Sequence, residues 1–270
     1  MNFSLVWFSF LMVFSFGFLT NSQPVVMVFL KSELALSNTQ VGLIFTIGAA
    51  TGVVASLIAG YAAETKGFRF TVLAATSTAA AAVLLFDLPP PLLTFWLLLA
   101  ASFFIMFGLH SCSFAANSLI STVCSHSRER YLNFMHLFYC VGSLISPVLV
   151  TRVHRLVPLL SSRPVAEVWR WNFLLNFLLM VICVIWALKL VYPAAGGRER
   201  GSSGSFRAVL RSPLIYIFTL ILTAYVIAEI SLSNWLVLYL KAADFPVSLS
   251  SLFLSLFFVM MALGRLAGGL

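Results

Sequence analysis

Apolar residues run along this chain in long blocks separated by short polar connectors. Eight blocks stand out, at roughly 3–30, 39–63, 70–88, 92–123, 132–152, 171–193, 213–240 and 248–270. A hydrocarbon core of about 30 Å takes about 20 apolar residues at the helical rise, so each block predicts a helix that crosses a membrane. Most connectors are short, which makes successive helices antiparallel neighbours. The predicted class is all-α, a polytopic integral membrane protein.

Composition agrees: 61% of the 270 residues are hydrophobic and 9% charged, against about 25% charged in an ordinary soluble domain. The basic balance, 16 Lys and Arg against 8 Asp and Glu, sits in the connectors and does not line one face, which excludes a nucleic-acid surface. It bears on orientation instead. Even-numbered connectors carry nine Lys and Arg and odd-numbered ones six, a modest bias that predicts a cytoplasmic N-terminus, in a plasma or inner membrane. The fifth connector, with Arg152, Arg155, Arg163 and Arg170, runs against that bias. The first block has no basic region before it and is too long for a signal-peptide core, so it is read as a retained span. Cys112, Cys124, Cys140 and Cys183 lie in or beside apolar blocks without CxxC spacing, which predicts neither a disulfide framework nor a metal site.

One charge breaks the pattern. Between Pro213 and Leu240 the only charged residue is Glu229. A charge at mid-bilayer costs about 2.5–3.5 kcal/mol by insertion scales, so such a residue faces a polar interior and marks a candidate functional site. Tyr225, Ser233 and Leu236 share its helical stripe, and Trp235 and Tyr239 lie toward the far interface. The first block carries Phe14, Gly17, Asn21 and Pro24 at steps of three or four; Asn21, Gln23 and Pro24 together predict a broken helix lining a cavity. The fourth block shows His110, Ser113, Asn117 and Ser121 on one face, and the fifth His136, Tyr139, Ser143 and Ser146. Glu229, His110 and His136 form no nucleophile–base–acid set and have no metal-ligand spacing, so an enzyme is not expected, and no cofactor or metal is implied.

The second connector reads Gly60-Tyr61-Ala62-Ala63-Glu64-Thr65-Lys66-Gly67-Phe68-Arg69. It resembles the G-x-x-x-D-R-x-G-R loop of the major facilitator superfamily, with Gly60, Glu64, Gly67 and Arg69 in register. Glu64 replaces the usual aspartate and Thr65 the usual arginine, which puts part of that loop's latch in doubt. The run Ala115-Ala116-Asn117, then Arg130, Leu132, Asn133, His136, Phe138, Gly142 and Pro147, is similar to the fucose-permease-like branch. So is the Tyr225, Ala228, Glu229, Trp235, Tyr239 pattern of the seventh block. Gly264-Arg265 opens what resembles a second copy of the loop signature. Leu30-Lys31 and Leu240-Lys241 end the first and seventh blocks alike, and Gly60 falls opposite Gly269, one residue out of step.

The resemblance implies a six-helix N-terminal bundle (1–193), a cytoplasmic linker (194–212) and the first two helices of a C-terminal bundle (213–270). It implies four further helices, nine to twelve, so the chain is expected to be a fragment of a twelve-span carrier. It implies alternating access to a midplane site for a small polar solute, a sugar by analogy with the branch, with the proton as coupling ion and lipid as surroundings. Asn21, Gln23, Asn117 and His136 would hydrogen-bond the solute, Tyr225 and Trp235 would stack on it, and Glu229 would bind and carry the proton. Symporters of that branch have acids in spans one and four, where this chain has Gln23 and Ser113, so coupling rests on Glu229 or is absent. Arg265 is a weaker candidate as its ion-pair partner. Two alternatives remain open: a drug or metabolite exporter of the same fold, whose G-P-x-x-G-G run is missing at Gly142–Pro147, and a non-transporting scaffold or receptor in which Glu229 and His136 pin helices together.

Overall fold

A computed structural model describes residues 3–88, 92–160, 169–193 and 212–268. Among them are eight helices long and apolar enough to span a membrane. In chain order these are α1 (Phe3–Glu33), α2 (Asn38–Thr65), α3 (Gly67–Leu84), α4 (Phe95–Val123), α5 (Arg128–Leu160), α6 (Arg170–Lys189), α7 (Pro213–Ala242) and α8 (Val247–Gly268). Of the linker expected at 194–212 only Ser212 is described, and Gly269, expected to pair with Gly60, also lies outside the described residues.

The eight apolar blocks become eight helices, with two corrections. The fifth helix begins at Arg128, four residues before its apolar block, and runs on to Leu160. Its added first turn carries Glu129, an acid that favours a helix N-terminus, so hydropathy alone misses it. The first helix is not broken: α1 is continuous through Pro24. Proline removes one backbone bond, and α1 tolerates the loss because neighbouring helices surround it along its length.

The closest packing in the bundle is between α1 and α5. A Cβ added at Gly17 would sit 2.3 Å from the Tyr139 carbonyl oxygen, and one added at Gly142 would sit 2.3 Å from the Phe14 carbonyl oxygen. The two glycines therefore let the backbones touch, as small residues do at helix contacts in membranes. Gly108 does the same for α4 against α3, where an added Cβ would lie 2.7 Å from Ala75 O. Around these contacts Phe8, Leu19, Val25, Ile105, Leu109 and Leu119 are fully buried.

One charge of the fifth connector has a structural task. Arg170 opens α6, is buried, and donates through Nη1 to the carbonyls of Phe86 and Leu88 just past α3. Beside it Trp169 donates through Nε1 to the Glu33 carboxylate at 2.6 Å. The start of α6 is thereby tied to the ends of α1 and α3.

The last two helices meet the six chiefly through α5 and α1. Ser255 Oγ on α8 donates to Leu144 O on α5 at 2.8 Å, and α7 borders α1. Of the described residues of α7 only Ser233 and Val237 are buried. The ends of α1 and α7 are alike: Lys31 and Lys241 stand in the last turns, and Ala35 and Asp244 take positive φ of 50° and 64° three residues before the next helix starts.

Replacing Gly142 by Leu should lower stability by on the order of 1–3 kcal/mol, because the added side chain meets backbone that cannot yield. Gly264→Leu should change it little, since nothing lies within 4 Å of that Cβ position. Thermal unfolding of the two purified variants in detergent measures the difference.

Candidate functional site

At mid-depth α1, α2, α4, α5 and α7 border a partly open cavity of about 590 Å³, a volume that takes in its mouth. Its acid is Glu229, half-buried at the middle of α7, with about 20 Å of helix on either side. On the same helix Ser233 and Asn234 continue the wall. Thr20 and Gln23 face it from α1, and Tyr139 from α5.

The opposite side is shaped by small residues. A Cβ added at Gly48 would lie 3.0 Å from Met106 Cγ, and one at Gly52 would lie 3.0 Å from the His110 ring. These glycines of α2 let both side chains of α4 reach the cavity. His110 is held edge-on against Phe16 of α1, with centroids 5.0 Å apart at 70°. Phe16, Phe45 and Met106 make the remaining wall apolar.

Two wall atoms lack partners. Thr20 Oγ1 and Gln23 Nε2 are buried and make no hydrogen bond among the described residues. A buried polar atom left unmade costs about 1–3 kcal/mol, so both are free to bond a guest or water. Among the described residues no Lys or Arg lines the cavity. Arg265, on α8, directs its guanidinium to His136 O at 3.5 Å and Met261 Sδ at 3.7 Å, and the Tyr225 hydroxyl lies between it and Glu229.

Of the residues expected to hold a solute, the structure brings Gln23 and Glu229 together and leaves five outside the wall. Asn21 is spent on the α1–α5 contact: Nδ2 donates to Gly17 O at 3.1 Å, Ser143 Oγ at 2.9 Å and Tyr139 Oη at 3.4 Å. Asn117 donates back to Ser113 O of its own helix at 2.8 Å. His136 is half-buried, one turn from Tyr139. Tyr225 stands outside the wall but beside Glu229, its hydroxyl bonded to Glu229 and Arg265 and 3.3 Å from Met261 Sδ. Trp235 packs edge-on against Phe45 at 5.8 Å and covers Gly42. What the residue pattern did not assign is Thr20, His110, Tyr139, Ser233 and Asn234 as wall. Three of them sit on the polar stripes of α4, α5 and α7, so the signal was present without the neighbour each stripe would meet.

The second connector is compact. Gly67 takes φ 85° at the start of α3, a conformation that favours glycine. Gly60 lies under the Phe114 ring, with 3.3 Å to its Cβ position. Arg69 donates to Leu188 O at 3.5 Å, placing a cation at the C-terminal end of α6, where the helix dipole favours it. Thr65, standing where an arginine is usual, bonds Tyr61 O of its own helix at 2.7 Å, and Glu64 is exposed. Gly264 stands in open space.

Asn21→Ala should lower stability by about 0.6–1.7 kcal/mol, the range of interhelical hydrogen bonds in membranes. Gln23→Leu, which removes an unpartnered amide, should not lower it. Thermal unfolding of both variants distinguishes the amide that holds helices from the amide that faces the cavity.

No curated protein matches the chain by sequence. Its fold is similar to that of a D-xylose–proton symporter, with TM-score 0.66 and 12% identity over 96% of this chain and 66% of that one. A bacterial homologue of the human drug peptide transporters gives TM-score 0.62 and 15% identity, covering 89% of this chain and 52% of that one. A xylose transporter from E. coli in an inward-open conformation gives 0.58 and 15%, covering 86% and 56%. The chain thus spans about half to two-thirds of the length of these proteins, and the likeness is one of fold. The sequence profile of the Major Facilitator Superfamily matches residues 9–270, and the chain belongs to that superfamily.

Proposed function

We propose that the protein carries a small, polar, uncharged solute across the membrane by alternating access, with a sugar as the best fit and Glu229 as the proton-coupling group. The observation that supports this most is the joint presence of Glu229, Gln23 and Thr20 around one mid-depth cavity that no Lys or Arg among the described residues lines. The orphaned amide and hydroxyl offer hydrogen bonds suited to a polyol. An anionic solute is disfavoured: two like charges 4 Å apart repel by about 4 kcal/mol at an effective dielectric constant of 20. A peptide brings a terminal carboxylate, which this wall has no cation to receive. Among the fold relatives the peptide transporter homologue is therefore a poorer guide to the solute than the xylose symporter. The coupling follows from the carboxyl group's surroundings, since water favours its anion and an apolar enclosure its acid. The cytoplasmic N-terminus and the plasma or inner membrane belong to the same proposal.

A second reading, export of an apolar cation, draws on Phe16, Phe45 and Met106 beside the carboxylate. A scaffold role would make Glu229 a pin between helices, which its place on a cavity wall does not favour.

Uptake into proteoliposomes under a pH gradient tests these readings with a panel of sugars, a dipeptide and a lipophilic cation. Saturable sugar uptake that falls when the gradient collapses is expected; uptake of the cation alone would favour export. Glu229→Gln should abolish the gradient dependence with little change in the amount of folded protein. A loss of folded protein instead would favour the scaffold.

A further inference from the structure

A second cleft, of about 430 Å³, opens between α5 and α8 near the membrane face where α7 ends and α8 begins, lined by Val148, Thr151 and Arg152 of α5 and Ser248 and Leu252 of α8. Its two walls are graded in the same direction. Arg152 and Ser248 stand at the outer level, while Val148 and Leu252 each stand four residues, about 6 Å, nearer the membrane centre. The cleft is thus cationic and hydroxylated at the surface and apolar beneath.

Arg152 is exposed and makes no ion pair among the described residues. On this face Glu33 accepts from Trp169 Nε1, and Asp244 stands in the positive-φ turn before α8. Thr151 has spent its hydroxyl proton on Pro147 O at 2.8 Å. The guanidinium is the group left to receive a ligand, and the positive end of α8's dipole adds to its field.

We propose that this cleft holds one anionic phospholipid, its phosphate on Arg152 and Ser248 and the start of an acyl chain against Val148 and Leu252. The charge selects the headgroup, and the apolar lower wall selects an amphiphile over a free phosphate ester. Occupancy has a mechanical consequence. Deeper in the bilayer α5 and α8 are joined by Ser255 to Leu144 O, and toward the opposite face by Arg265 to His136 O, so a lipid in the cleft wedges the same pair apart at this face only.

The purified protein in detergent is titrated with phosphatidylglycerol, phosphatidylcholine or glycerol 3-phosphate and followed by thermal unfolding and native mass spectrometry. Phosphatidylglycerol should bind and raise the unfolding midpoint. Arg152→Gln should weaken that binding about tenfold, the loss expected for a hydrogen bond to a charged group, without moving the lipid-free midpoint. Leu252→Trp, which fills the lower wall and keeps the charge, should weaken it too. Arg128→Gln, an exposed cation on the opposite face, should leave it unchanged. Equal binding by the wild type and R152Q overturns the proposal, as does an equal loss in R128Q. Glycerol 3-phosphate binding as strongly as the lipid overturns the lipid assignment in favour of a soluble anion.

Discussion

A carboxyl group at mid-depth in hydrocarbon must be given water, a proton or a partner, and the arrangement of this protein follows from how Glu229 is provided for. Among the described residues no Lys or Arg pairs with it directly, and Tyr225 stands between it and Arg265. Five helices leave a space beside it whose wall is part polar and part apolar. A space of that kind at the centre of a bilayer is costly unless something polar passes through, because each unbonded amide or hydroxyl forfeits its hydration. Thr20 and Gln23 carry that cost on the facing wall.

The cavity can be open because the contact beside it is tight. Gly17 and Gly142 bring the backbones of α1 and α5 together, and Asn21 bonds across the same contact. Two residues farther along α1, Gln23 emerges on the other side of the helix, since two steps of 100° turn a side chain through about 200°. One amide is thereby consumed in holding the bundle and the other is delivered to the cavity. On α2, Gly48 and Gly52 perform the matching service for Met106 and His110. Small residues set where the walls stand, and larger ones set what the walls offer.

The eight helices were legible in the chain because each crosses the bilayer as one apolar block, and Glu229 was legible because nothing else charged shares its block. The polar start of α5 was not, since a hydropathy window does not register Arg128 and Glu129 as helix. The division of labour among polar residues was not legible either. Asn21 and Gln23 are alike in type and depth, and His110 and Asn117 share one stripe of α4, yet the role of each depends on which neighbour its helix face meets. Asn117 finds Ser113 O in its own helix, an option open to any helical asparagine and invisible in its spacing. Of the two aromatics expected beside the acid, Trp235 packs on Phe45, while Tyr225 meets Glu229 with its hydroxyl and lies against Met261. The glycines of α2 show no meaning until α4 is laid against them.

The central claim is that water reaches the space beside Glu229, and thiol accessibility measures it directly. The four native cysteines are buried, so they provide a quiet background. Asn234→Cys, on the cavity wall, should react with a small membrane-impermeant thiol reagent, while Ile182→Cys on the exposed apolar face of α6 should react only with a lipid-soluble one. Reaction of the cysteine at 234 with the lipid-soluble reagent alone would mean that the cavity is dry, and would contradict the account.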